Sequence, residues 1–322
     1  MNKHDKIYVA GHNGLVGSVL LQRLKSEGYD NIITKTHKEL DLTDQLAVDR
    51  FFSENKPEYV FLAAAKVGGI GANSTFPAEF MHANTMIGFN VIHAAYENGV
   101  KKLMNLGSSC IYPKLAPQPI KEEYLLSDLL EPTNEAYAIA KISVLKLCTF
   151  YNKQYGTNFL SVMPTNLYGS RDNYDLSSSH VLPALIRKFH KAKVSGTDCV
   201  TLWGDGSPRR EFLCSIDLAQ TLVMLMQNNN ASDLSNSAGD FVNVGCGEDL
   251  TIKELAENIR NVVYEGISNR SCAIEWDTSK PNGTPQKLLD ITRITALGFS
   301  PKTSLAEGIR LAYEDFINNY HQ

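Results

Sequence analysis

Three short runs hold residue types that do chemistry at defined spacing. Tyr137-Ala138-Ile139-Ala140-Lys141 sets a phenol and an ammonium four residues apart, which places them on one face of a helix. A neighbouring cation favours phenolate and lowers a tyrosine from its ordinary pKa of about 10, so the pair reads as an acid or base usable near neutrality. Of the 14 tyrosines, Tyr137 alone has a lysine at this spacing, but with so many lysines one such pair arises by chance. Gly107-Ser108-Ser109-Cys110-Ile111-Tyr112-Pro113 adds a hydroxyl and a thiol at the end of an apolar run. Gly11-His12-Asn13-Gly14-Leu15-Val16-Gly17 follows another such run and opens a helix-like segment. Glycines there let the backbone turn tightly and approach a pyrophosphate, whose charge is met by free N–H groups and the helix dipole.

These runs need a frame to bring them together, and the chain supplies one. Lys6–Ala10, Asn31–Thr36, Tyr59–Ala65, Lys102–Ser108 and Phe159–Met163 read as strands. Between them Val16–Glu27, Thr43–Glu54, Ala78–Glu97 and Glu135–Tyr155 carry helical spacing,. Strict alternation implies an α/β, doubly wound, Rossmann-type parallel sheet with helices on both faces. In such a sheet ligands sit at the carboxyl ends of the strands, so the glycine turn, Ser108 and Tyr137 should share one crevice. That convergence points to a nucleotide-dependent oxidoreductase or epimerase.

After Pro164 the rhythm loosens. Helices are expected at His180–Lys191, Asp217–Gln227, Thr251–Val263 and Ser304–Tyr320, and strands at Val200–Trp203, Phe241–Val244 and Ala273–Trp276. We read residues 1–165 as a dinucleotide-binding domain to which later segments contribute, and 166–322 as mainly a smaller mixed α/β substrate domain. The polar stretch Asn228–Asp240 reads as a surface loop.

Composition excludes several classes. Over 322 residues, hydrophobic residues are 43% and charged residues 20%, with a formal charge of -4, values of an ordinary folded protein without the basic surface of a nucleic-acid or polybasic membrane binder. The longest clean apolar run, Val60–Ala65, is far too short to span a membrane, and the start lacks a signal-peptide pattern,. A cytoplasmic location is expected. The six cysteines never form C-x-x-C, so neither a structural metal nor a disulfide framework is expected.

The runs Ala63-Ala64-Ala65-Lys66-Val67-Gly68-Gly69-Ile70, Leu106–Pro113, Glu131-Pro132-Thr133-Asn134, Met163-Pro164-Thr165-Asn166-Leu167-Tyr168-Gly169 and Arg210-Glu211-Phe212 give the chain a resemblance across its length. With the G-x-x-G-x-x-G turn, it resembles the extended short-chain dehydrogenase/reductase family, and within it the dual-function 3,5-epimerase/4-reductases. The resemblance implies that NADP(H) is the cofactor and GDP-4-keto-6-deoxy-D-mannose the substrate. It gives Cys110 as base, His180 as acid, Ser108 and Tyr137 as hydrogen-bond partners of the C4 oxygen, and Lys141 as the holder of the nicotinamide ribose. Cofactor contacts are implied at Gly11, His12, Asn13, Gly14, Leu15, Val16, Gly17, His37, Asp41, Leu42, Ala63, Ala65, Leu106, Lys141, Pro164, Asn166, Leu167 and His180. Substrate contacts are implied at Lys188, Trp203, Arg210, Asn282 and Lys287, and a homodimer through the two long helices.

The chain departs from the family pattern at Asn13 and His37, which stand where arginines commonly face the NADP phosphate, at Lys188 in place of an arginine, and at Asn282 in place of an aspartate. Thr34-Lys35-Thr36-His37-Lys38 nonetheless lacks the acid that would bind the ribose 2′-hydroxyl of NAD,. On its residues alone, His180 after Ser177-Ser178-Ser179 is as readily a surface histidine as a functional one, and core filling is the lesser alternative for Trp203. Rival readings are a 4,6-dehydratase, disfavoured because Ser108-Ser109-Cys110 stands where dehydratases carry Thr-Asp-Glu, a 4-epimerase, and a non-catalytic dinucleotide-binding regulator.

Overall fold

The computed structural model describes residues 1–266, 272–280 and 282–320. The first half runs β1 (Ile7–Ala10), α1 (Leu15–Ser26), β2 (Ile32–Ile33), α2 (Gln45–Asn55), β3 (Tyr59–Leu62), α3 (Ile70–Thr75), α4 (Pro77–Glu97), β4 (Lys102–Leu106), α5 (Glu135–Tyr155) and β5 (Phe159–Pro164). Then come β6 (Asn166–Tyr168), α6 (Val181–Ser195), β7 (Cys199–Trp203), β8 (Arg209–Arg210), β9 (Phe212–Cys214), α7 (Ser215–Asn228), β10 (Ser235–Asn236) and β11 (Gly239–Val244). The last elements are β12 (Leu250–Thr251), α8 (Ile252–Val263), β13 (Ala273–Asp277), β14 (Gln286–Lys287), α9 (Thr292–Ala296) and α10 (Leu305–Asn319).

The main sheet has the order β10-β11-β5-β4-β3-β1-β2, parallel except for the β10 edge. Alternation along β1 shows why both faces need helices. Ile7 and Val9 enter one core with Leu20, Leu24, Leu218 and Leu222 of α1 and α7. Tyr8 and Ala10 enter the opposite core with Phe52 of α2, Ile92 of α4 and Val144 of α5. The chain passes from β2 on one side of β1 to β3 on the other, a reversal that opens a crevice at the carboxyl ends of β1 and β3.

A separate core of Leu185, Phe189, Leu202, Leu255, Ile259, Ile309 and Phe316 joins α6, β7, α8 and α10. The chain interleaves the two cores, because α7 packs on α1 and β11 lies beside β5. Small sheets β12-β8-β14, β13-β7 and β6-β9 bridge them.

The stretch Asn228–Asp240 is not the surface loop its composition predicts. A turn of 3-10 helix at Ala231–Leu234 buries Leu234 completely, and Ser235–Asn236 pairs with β11. Polar side chains of other segments hold its backbone: Asn158 Oδ1 accepts from Ala231 N at 2.8 Å, and Arg293 donates to Leu234 O at 3.1 Å. The second strand is also shorter than Asn31–Thr36, pairing only at Ile32–Ile33 on the sheet edge. Among the described residues no helix is long and apolar enough to cross a membrane.

Candidate active site

Gly11 leaves β1 at φ +84°, and a Cβ there would come within 2.7 Å of Ala64 N. Only glycine allows β1 to turn this close to the end of β3. Gly14 N donates to Gly11 O at 3.0 Å, and a Cβ on Gly17 would sit 2.1 Å from that same oxygen. α1 starts behind the turn without a side-chain cap on its first amides. The cleft above it measures about 750 Å³ and is lined by Gly11, His12, Asn13, Gly14, His37, Asp41, Leu42, Ala63 and Ala65.

Leu15, Val16 and Gly17 form the first turn of α1 beneath the cleft. Asp41 accepts from Thr43 N at 2.9 Å and Thr43 Oγ1 at 2.8 Å, which hold its carboxyl below the usual range. Its His37 neighbour lies 3.8 Å away. His12 Nδ1 is buried without a hydrogen-bond partner among the described residues. A cleft of this size, with uncapped helix amides at one end and an unmet imidazole nitrogen, fits a dinucleotide.

Ser108 lies two residues beyond β4 and caps a turn of 3-10 helix, its Oγ accepting from Cys110 N at 3.4 Å. Leu106, the last residue of β4, presents its carbonyl to Lys141 Nζ at 2.9 Å. Lys141 Nζ lies 5.8 Å from the centre of the Tyr137 ring, which packs edge-on against Phe80.

The expected lowering of Tyr137 by Lys141 is absent. Burial raises the phenol well above its ordinary value, Cys110 adds to that, and a hydrogen bond with Ser108 opposes it. The same enclosure acts in reverse on the cation, bringing Lys141 down to about 8 against the opposing pull of Cys110. Burial also raises the Cys110 thiol, while Lys287, Ser108 and Lys141 draw it back. Phenol, hydroxyl, thiol and two ammoniums thus lie within electrostatic reach of one another.

Lys287 reaches this group because β14 runs parallel to β8 with Lys287 opposite Arg210. Two half-buried cations side by side, both held below their ordinary range by loss of solvent, make a place for an anion. His180 is the N-cap residue of α6. Its residue surface opens to solvent, yet burial of the ring and then Lys287 hold its imidazole below the ordinary value.

The other implied substrate residues lie apart. Trp203 is 67% exposed, and Lys280 stands over its ring at 5.8 Å, so it fills no core. Lys188 donates to Thr201 O at 3.1 Å. Asn282 Oδ1 accepts from Asp205 N at 3.0 Å, closing the turn after Trp203. Pro164 ends β5, Leu167 packs on the first core, and Asn166 donates to Glu211 O at 2.8 Å.

Residues that the sequence did not single out for the site complete its surroundings. Asn84, in the middle of α4, accepts from Lys66 N at 3.0 Å and donates to Lys66 O at 2.9 Å, fixing the loop after β3 that lines the cleft. Lys66 and His82 line it as well. Glu211 is fully buried, accepting from Gly247 N at 2.7 Å and Leu289 N at 3.1 Å. It thereby ties the strand that carries Arg210 to the segment that carries Lys287.

Fold and site together define a dinucleotide-binding enzyme whose cleft opens at the carboxyl ends of its strands. Residues 7–245 match the model of the NAD dependent epimerase/dehydratase family, and the chain belongs to that family. It is 53% identical to GDP-L-fucose synthase 1 of Arabidopsis thaliana, covering 99% of this chain and 95% of that one. It is 49% identical to GDP-L-fucose synthase of Escherichia coli, covering 98% and 97%. Among solved structures, a GDP-mannoheptose C4 reductase from Campylobacter jejuni with NADP bound superposes with a TM-score of 0.90 at 41% identity, covering 98% and 99%.

Proposed function

We propose that this protein is a GDP-L-fucose synthase. It inverts C3 and C5 of GDP-4-keto-6-deoxy-D-mannose and then reduces C4 with NADPH. The observation that carries the reading is the Cys110 thiol on the turn that Ser108 caps, lining one recess with Lys287, while Lys141 stands 5.8 Å from the Tyr137 ring on the neighbouring helix. Neither a simple 4-epimerase nor a reductase needs the thiol.

A ketone at C4 acidifies the protons on both flanking carbons. Cys110 takes such a proton, and Lys287 and Lys141 stabilise the thiolate that does so. Ser108 and Tyr137 hydrogen-bond the C4 oxygen, where negative charge develops. His180 returns a proton on the opposite face. The bound cofactor supplies hydride; Tyr137 donates the accompanying proton to the C4 oxygen, and Lys141 holds the ribose. The residues available to the cofactor are those of the glycine turn with His37, Asp41, Leu42, Ala63 and Ala65. Lys35 beside His37 in the cleft wall favours the extra phosphate of NADP.

The outward faces of α4 and α5 support a homodimer, since Met81, Phe89, Phe150 and Tyr155 are all exposed there.

Incubating wild type and Cys110→Ser with the ketosugar and NADPH tests the reading. Wild type yields GDP-L-fucose. The variant, whose hydroxyl is a far weaker acid than a thiol, yields GDP-6-deoxy sugars of uninverted configuration. GDP-L-fucose made by Cys110→Ser at the wild-type rate would sink the assignment.

A further inference from the structure

His180 and Tyr137 are carried by different cores. His180 caps α6, which packs through Leu182, Leu185 and Ile186 into the separate core of α6, β7, α8 and α10. Tyr137 lies on α5, which packs against the main sheet through Val144 and Cys148. Where the imidazole stands relative to the phenol therefore depends on what joins the two cores nearby.

One joint lies directly ahead of His180. The loop after β3 meets the turn that precedes α6, and Gly69 N donates to Ser178 O at 2.8 Å. Gly69 has φ -67°, open to any residue, so space alone asks for glycine there. A Cβ at this position would come within 2.6 Å of Ser179 O. That oxygen and His180 N belong to one planar peptide unit. Whatever pushes the oxygen turns the plane from which His180 starts.

Both sides of the contact are held. Asn73 is buried and donates through Nδ2 to Gly68 O at 2.7 Å and Gly69 O at 3.0 Å. Ser74 Oγ donates to Thr133 O at 3.3 Å, tying α3 to the turn that leads into α5. Opposite them, Ser178 N and Ser179 N both donate to Asp175 O, at 3.1 and 2.7 Å. A push at Gly69 is thus passed to the His180 peptide.

We propose that Gly69 is a positioning residue for His180: the close approach it allows to Ser178 and Ser179 sets the imidazole where it can return a proton to the sugar. The inference rests on the reading of His180 as proton donor given above.

The test follows ketosugar and NADPH in D₂O, with NMR of product and recovered substrate giving deuterium uptake at C3 and C5 and the configuration there. The readout is the number of inversions per exchange. A merely structural loss lowers inversion and exchange by the same factor and leaves this ratio alone. In Gly69→Ala the ratio should fall about 10–10²-fold, with exchange and NADPH oxidation near wild type. Gly71→Ala is the matched control, since a Cβ there meets only Ser177 O at 3.8 Å, and should keep the wild-type ratio. Asn73→Ala frees the loop without adding an atom; it should lower the ratio as well, and decides the matter if Gly69→Ala does not fold. A wild-type ratio in the deciding variant, or an equal fall in Gly71→Ala, would overturn the positioning role. His180→Gln, run alongside, should lower the ratio most. A wild-type ratio in His180→Gln would overturn the reading of His180 itself; a lowered one with Gly69→Ala unchanged overturns the role of Gly69 alone.

Discussion

Tyr137 and Cys110 are both acids held above their ordinary values by burial, and Lys141 is a base brought down to about 8 by the same burial. The two half-reactions should therefore answer pH in opposite senses. Lys141 is cationic below about 8 and loses its charge above, so kcat/KM for NADPH-dependent reduction should fall as pH rises past 8. Thiolate at Cys110 grows with pH, so exchange of the C3 and C5 protons with D₂O should climb over the same interval. Parallel profiles for the two readouts would contradict this division of labour. Tyr137→Phe separates the steps in another way. It removes the proton donor at C4 and should cut NADPH oxidation by about 10²–10⁴-fold, while exchange persists in part, read by NMR of the recovered ketosugar.

The pairing of α4 with α5 sets where these side chains point. Gly88 of α4 faces Val144 of α5 so closely that a Cβ would meet Val144 Cγ2 at 2.2 Å. Tyr137 and Lys141 precede Val144 by about two turns and one turn of the same helix,, so a shift of α5 displaces both. Gly88→Ala should cost about 1–3 kcal/mol by overpacking, read as a Tm lowered by a few degrees, together with reduced kcat. Adding Val144→Ala should recover part of the stability, a coupling that a double-mutant cycle measures directly. A loss unchanged by the second substitution would place the strain elsewhere.

At the scale of the molecule, α4 and α5 turn one flank toward the core and leave aromatic side chains on the other. Phe89 is 38% exposed and Phe150 58%. Packing that flank against a second copy buries both, since helix pairs related by a two-fold axis form a four-helix bundle. Light scattering at micromolar concentration should give twice the chain mass of 35.7 kDa, and Phe150→Asp should shift the population toward monomer. A wild-type monomer would dismiss the dimer while leaving the active site untouched.

The sequence by itself determined the alternating fold, the glycine turn and the Ser108, Cys110, Tyr137 and Lys141 runs, because periodicity and short-range spacing are local properties of a chain. It misjudged Asn228–Asp240, where two apolar residues in a polar segment find a core that composition cannot reveal. It also misjudged the proton affinity of Tyr137, since spacing gives the nearest charge but not the depth of burial, and burial is the larger effect. Only the tertiary structure brought Arg210 and Lys287 into register. Only it made Glu211 and Asn84 into fasteners, because each of these facts depends on which distant segment lies across the gap.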